Sequence, residues 1–270
     1  MTKTNVIITG ANGRMGKEII KAIGLNEKSL LVGAVEISDS PKLGTDASLN
    51  AGLEKKDVPI CSDIEGLLQN NKATLIDFSY PDATIKNLSL AVKHKTPVVV
   101  GTTGFTEEQL SAVKEHAAHI PVVMAPNMST GVNVILELVK QAAQVLGSDY
   151  DIEIIEAHHR FKKDAPSGTA KALAKVVCEG TGKKYPEDLV FHREGALAER
   201  AKNHVGMQVI RGGDIVGEHT VLFCGEGERV EIKHVATSRQ TFAQGAVRAA
   251  CWLTGQGPGL YTMKDVLQLG

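Results

Sequence analysis

Paired cysteines are missing from this sequence. Cys61, Cys178, Cys224 and Cys251 are scattered over 270 residues with no C-x-x-C spacing, which speaks against a zinc site or a disulfide framework and suits a reducing cytoplasm. Long apolar runs are missing too. None approaches the ~20 residues of a membrane span, and MTKTNVIITG turns into a strand pattern too early for a signal peptide. Excess charge of either sign is absent: 30 Lys and Arg face 31 Asp and Glu, a formal net charge of −1. Bulk nucleic-acid binding needs a basic surface excess and is disfavoured. There are no internal repeats and no low-complexity segments. What remains is an ordinary globular composition, 43% hydrophobic and 23% charged, long enough for one large domain or two modest ones.

Strand and helix patterns alternate through the first half. NVIITG (5–10), LLVGAVE (30–36), ATLIDFS (73–79), TPVVVG (96–101) and IPVVMAPN (120–127) are near-continuous apolar runs, as in strands of a parallel sheet covered on both faces. Between them lie helical patterns: 14–24, ended by Gly24; one opening at Pro81; and one opening at Thr106 with Gln109 spaced as a capping box. After Asn127 a long helix over 133–147 leads to DIEIIEA, a helix over 167–179 stopped by Gly180, and β patterns from about 206 with a hairpin turn at Gly225-Glu226-Gly227. The last segment, TFAQGAVRAACWLTG, is helical again. The expected fold class is α/β: a Rossmann-like doubly wound parallel sheet over 1–129, then an α+β domain over 130–239 containing antiparallel strands.

Between the first strand and the first helix stands GANGRMG, with Gly10, Gly13 and Gly16. Glycine there lets backbone N–H groups approach a pyrophosphate at a helix N-terminus. Glu36 ends the second strand, 20 residues after Gly16, where a carboxylate accepts hydrogen bonds from an adenosine ribose and repels the extra phosphate of NADP. The reading leans to NADH, with Arg14 and Lys42 the residues available to an NADPH phosphate. The loops GTTGF (101–105) and APNMS (125–129) follow apolar strands, so both fall at the carboxyl edge of the sheet.

A second concentration of chemistry lies at 156–170, EAHHRFKKDAPSGTA, where His158, His159, Arg160, Lys162 and Lys163 crowd into six positions. A histidine near its pKa is a candidate general acid. Asp164, Pro166 and Ser167 carry helix-start chemistry, and Gly168-Thr169 would present backbone N–H groups at the following N-terminus. Strand end, cations and bare helix start together describe a carboxylate site. A solvated basic turn is the plainer alternative; the helix start and the cofactor-like first domain weigh against it. The adjacent histidines have no carboxylate or cysteine at ligand spacing, so no metal is expected.

GANGRMG, VVVGTTGF, APNMSTGVNV, EAHHRFKKDAPSGTA and GDIVGEHTVLF, in that order, closely resemble the dihydrodipicolinate reductases of bacterial lysine biosynthesis. The resemblance runs through to TFAQGAVRAACWL. It implies NAD(P)H-dependent reduction of a small dicarboxylate imine, formed from aspartate semialdehyde and pyruvate, to tetrahydrodipicolinate. It makes His158 and Lys162 the proton donors, and either could act directly. It places His159, Gly168 and Thr169 against the substrate carboxylates. Gly10, Ala11, Asn12, Gly13, Arg14, Met15, Glu36, Gly101, Thr102, Thr103, Ala125, Pro126, Asn127 and Met128 fall at its cofactor-contact positions. It further implies a cytoplasmic homotetramer built from the β-rich second domains, with 240–270 returning to the first domain. The family often has an arginine after the ribose carboxylate where this chain has Ile37, a departure that favours NADH. Two other readings compete. A semialdehyde dehydrogenase needs a nucleophilic cysteine at the active-site edge, and none of the four is expected there. An NADH-binding regulator without turnover would have no use for two proton donors beside a carboxylate site.

Overall fold

The apolar runs of the first half are enclosed on both sides. In β1 (Thr4–Thr9), Val6, Ile7 and Ile8 are all fully buried, as only a strand with helices above and below can be. The computed structural model describes residues 3–147, 149–195 and 199–269; Met1, Thr2 and Gly270, inside the ranges read from sequence, lie outside these. After β1 the chain runs through α1 (Arg14–Leu25), β2 (Ser29–Val35), α2 (Ala47–Asn50), β3 (Ile60–Cys61), α3 (Ile64–Asn70), β4 (Thr74–Asp77), α4 (Pro81–Lys93), β5 (Val98–Val100), α5 (Glu107–Ala117) and β6 (Pro121–Met124). It continues with α6 (Thr130–Leu146), β7 (Asp151–His158), α7 (Gly168–Thr181), β8 (Leu189–Val190), β9 (Val205–Arg211), β10 (Gly217–Cys224) and β11 (Arg229–Ala236). α8 (Gln240–Leu253), β12 (Gly259–Tyr261) and α9 (Met263–Leu267) end it.

Two compact units result: Met1–Thr130 with Arg239–Gly270, and Gly131–Ser238. In the first, seven parallel strands take the order β12-β6-β5-β4-β1-β2-β3. Val6 and Ile8 face a core shared with α1 and α8, whereas Ile7 faces the opposite core under α4 and α5. α8 buries Ala243, Gly245, Ala246, Val247, Ala249, Ala250 and Leu253, most of them small side chains that let a helix lie close to a sheet. The Thr106–Gln109 capping box forms with both of its hydrogen bonds.

The second unit holds a five-stranded sheet in the order β11-β10-β7-β9-β8. β7 pairs antiparallel with β10 and parallel with β9, so the sheet is mixed. β7 lies between β9 and β10, although those two strands follow one another in the chain. Two expectations about detail need correcting. Gly24 does not end α1, which runs on to Leu25. Gly180 does not stop α7 either: it sits within the helix, where a Cβ would press on Ala143 and the Lys140 carbonyl of α6, and the chain leaves through Gly182 in the left-handed region at φ 70°.

Candidate active site

The chain order reverses between β1 and β4, the place where doubly wound sheets bind ligands beyond the strands' carboxyl ends. Gly10 turns the chain out of β1 at φ +67°, and a Cβ on Gly16 would run into the Gly10 carbonyl. Both positions therefore require glycine. α1 starts at Gly13 with no side-chain cap and no acidic residue in its first turn, leaving first-turn N–H groups and the positive end of the helix dipole for an anion. Glu36 reaches across from the end of β2: Oε2 accepts the Asn12 N–H at 2.9 Å and Oε1 the Ile37 N–H at 3.1 Å. Ala11 is buried, its N–H on the Val35 carbonyl, while Gly13 and Arg14 are exposed and Met15 is half-buried. An uncapped helix start, a glycine cradle and a fixed carboxylate fit a dinucleotide.

The later loops serve by backbone more than by side chain. The Thr102 hydroxyl turns inward to Asp77 at 3.1 Å, Gly101 packs under the Phe78 ring, and Thr103 is exposed. Met128 is 1% exposed and Ala125 5%; Pro126 is exposed, and the Asn127 Oδ1 accepts the Ser129 N–H at 2.9 Å.

In the second unit the basic junction is organised by a residue that sequence reasoning passed over. Glu156, on β7, is fully buried. Its carboxylate accepts two hydrogen bonds from the Arg211 guanidinium, at 2.8 and 2.9 Å, the Ser167 N–H at 2.9 Å and His158 Nδ1 at 2.6 Å. Burial pushes the Glu156 carboxyl upward, but Arg211, His158 and the Ser167 N–H outweigh it and hold it below the usual carboxylate range. For His158 burial wins: despite Glu156 its pKa lies below the ordinary histidine value, with Lys162 and Arg211 pushing the same way. The Glu156 contact assigns the proton to Nδ1 and directs the Nε2 lone pair away from the carboxylate.

His219 packs edge-on against His158, ring centroids 5.1 Å apart, and its Nε2 lies 3.0 Å from the Ser167 hydroxyl. That same hydroxyl caps α7 by accepting the Ala170 N–H. α7 has no acid in its first turn, and a Cβ on Gly168 would meet nothing within 4 Å, so its N-terminus is open to an anion. Thr169 follows at that start, half-buried. Lys162 pairs with Asp164 at 2.9 Å. β7 ends at His158, so His159 opens a turn, its carbonyl accepting the Lys162 N–H at 3.1 Å and its Nδ1 buried without a partner among the described residues. His158, His159, Lys162, Gly168 and Thr169 are thus gathered around one strand end and one helix start. Glu156, Arg211 and His219 complete the cluster. One signal could have found Glu156: in a strand, positions 156 and 158 share a face.

Comparison with known proteins agrees across the chain. Residues 4–128 match the family described as dihydrodipicolinate reductase, N-terminus, and residues 131–267 its C-terminus. The 4-hydroxy-tetrahydrodipicolinate reductase of Syntrophotalea carbinolica is 52% identical over 266 residues, covering 98% of each chain. That of Geotalea uraniireducens is 50% identical over 264 residues, again covering 98% of each. Among solved structures, a dipicolinate-bound dihydrodipicolinate reductase from Paenisporosarcina sp. TG-14 superposes with a TM-score of 0.77 at 26% identity, covering 98% of this chain and 99% of its own. The chain belongs to the dihydrodipicolinate reductase family.

Proposed function

We propose that the protein reduces 4-hydroxy-tetrahydrodipicolinate to tetrahydrodipicolinate, in the diaminopimelate route to lysine, with NADH preferred over NADPH. When bound, the nicotinamide cofactor supplies the hydride. The residues of the first unit hold it: the α1 N-terminus and Gly10–Met15 take the pyrophosphate, Glu36 the ribose, and the backbone of 101–103 and 125–128 the nicotinamide end. Glu36 offers a 2′-phosphate repulsion, and the exposed Ile37 beside it supplies no counter-charge, which leaves that task to Arg14 and Lys42.

The second unit binds the dianionic substrate and manages the proton. The α7 N-terminus at Gly168-Thr169, with His159, receives the carboxylates. Reduction of the C=N bond leaves electron density on nitrogen that a nearby acid must meet. His158 Nε2 is free of Glu156, and the Lys162 ammonium stands in the same turn. An arriving dianion would draw a proton towards His158. The carrying observation is the shared start of α7, where an uncapped-by-acid helix end, a histidine oriented by a buried carboxylate, and a lysine converge. The second units assemble as a homotetramer through the outward face of their sheet, which carries Ile210 and Val235, 49% and 46% exposed, beside Leu222.

The test is oxidation of NADH and NADPH with the imine generated in situ from aspartate semialdehyde and pyruvate. Oxidation only when both precursors are present is expected, faster with NADH. Cofactor binding without any oxidation would sink the reading.

A further inference from the structure

Asp77, the last residue of β4, is a fully buried carboxylate whose hydrogen bonds among the described residues all come from neutral donors. Its Oδ1 lies 3.0 Å from the Ser79 N–H, 2.6 Å from the Ser79 hydroxyl, 3.0 Å from the Thr84 hydroxyl and 3.1 Å from the Thr102 hydroxyl. Its Oδ2 accepts from Asn87 Nδ2 at 2.7 Å. Thr102 Oγ1 in turn accepts the Ser79 N–H at 3.0 Å. Burying an unpaired carboxylate is costly and needs compensation by hydrogen bonds. A neutral β-branched residue would suit a strand end better, unless the carboxylate has work there.

Its place in the fold says what that work is. The donors come from the segment after β4 (Ser79), the segment after β5 (Thr102) and α4 (Thr84, Asn87). One carboxylate therefore joins the carboxyl ends of two neighbouring strands to a helix. Phe78, held between Asp77 and Ser79, spans the rest of the edge. Its ring fills the space where a Gly101 Cβ would stand, and its carbonyl oxygen lies 3.2 Å from where a Gly10 Cβ would be. Gly10, Phe78 and Gly101 are thus fitted together across β1, β4 and β5 at the point where the chain order reverses.

We infer that Asp77 is a positioning residue for cofactor binding: through Ser79 and Thr102 it fixes the loops after β4 and β5 as one rim against which the nicotinamide end is held. The inference rests on the cofactor assignment made above. Asp77 acts through these loops and touches neither cofactor nor substrate.

The experiment uses the full chain, with NADH affinity measured by fluorescence titration, and with KM for NADH, KM for the imine, kcat and melting temperature. Thr102→Val keeps the shape but removes the hydroxyl facing Asp77; Thr102→Ser keeps the hydroxyl; Asp77→Asn removes the charge. Thr102→Val is expected to raise the NADH dissociation constant and KM by about tenfold, since small misplacements at a binding edge are amplified. KM for the imine should stay near wild type, and Thr102→Ser should recover most of the loss. Asp77→Asn should move the same parameters in the same direction. NADH affinity unchanged in folded Thr102→Val, or lowered equally in Thr102→Ser, overturns the inference. So does a parallel rise in both KM values, which marks a general loss of structure. Wild-type protein that fails to bind NADH would instead overturn the cofactor assignment itself.

Discussion

Burial and charge pull His158 in opposite directions, and burial prevails. The resting side chain is therefore weighted towards the neutral imidazole, with Nδ1 donating to Glu156. Removing either proton-donor candidate, by His158→Ala or Lys162→Ala, is expected to lower kcat by about 10²–10⁴, the range for a positioned acid; unchanged turnover in a folded variant removes that residue from the mechanism. His219 lies deeper, its pKa pushed down to about 4 from 6.5 by burial first and by His158 second. The unfolded chain binds a proton at His219 below pH 6.5 that the native state refuses until about pH 4. Stability is thus full above pH 6.5 and falls as pH drops through that window, by ~3 kcal/mol in all. His158 and His234, also lowered, add in the same direction. The carboxylates held low, such as Glu156, lose their contribution only below their ordinary range near 4.5. Denaturant unfolding between pH 6.5 and 5 isolates the histidines. His219→Leu should flatten the slope there, and an unaltered slope would clear His219. The cations of the junction were legible in the sequence because they are contiguous. Arg211 and His219 were not, because they reach the site through strand pairing with residues more than fifty positions earlier.

Elements were legible where a single periodicity governs them. β1, β4, β5 and β6 are buried on both faces and read as plain apolar runs; α5 announces itself by its capping box. The two-residue β3 and β8 and the four-residue α2 are too short for any pattern, and packing creates them. Glycine was misjudged for a related reason. At Gly24 and Gly180 it sits inside helices, at Gly180 because a neighbouring helix leaves no room for a methyl group. Gly245, within α8, has a like reason for being glycine, since a Cβ there would enter the backbone carbonyl of Met128. Gly245→Ala gains helix propensity worth about 0.5–1 kcal/mol but overpacks a backbone contact, typically ~1–3 kcal/mol. A net loss of melting temperature is expected, with weaker NADH binding because the loop at 125–128 must shift. Gly255→Ala, where a Cβ meets nothing within 4 Å, should melt close to wild type. Equal melting points for the two would deny the close approach of α8 to that loop.

At the scale of the molecule, the change of rhythm after Asn127 marked the division into two units, because the parallel sheet's alternation ends there. The neighbours of β7 could not be read, since pairing across a sheet leaves no mark in local sequence. The second sheet's outward face joins Ile155, Gln208, Ile210, Thr220, Leu222 and Val235, all half-buried or exposed. If assembly uses this face, Leu222→Lys should lower the mass seen by light scattering while circular dichroism stays native. A variant that keeps the wild-type mass rules the face out.

The first unit is made from both ends of the chain. Ile8, Ile76 and Val99 share a core with Ala243, Ala246, Val247 and Ala250 of α8, and β12 forms an edge of the first sheet beside β6. On the ribosome β1 to β6 are therefore translated early, while α8, which completes the core on one of their faces, is translated only after the whole second unit. The second unit is continuous and can complete itself first. The nascent sheet must wait with one apolar face covered by α1 but not yet by α8, which makes this interval the time when a chaperone has most to bind.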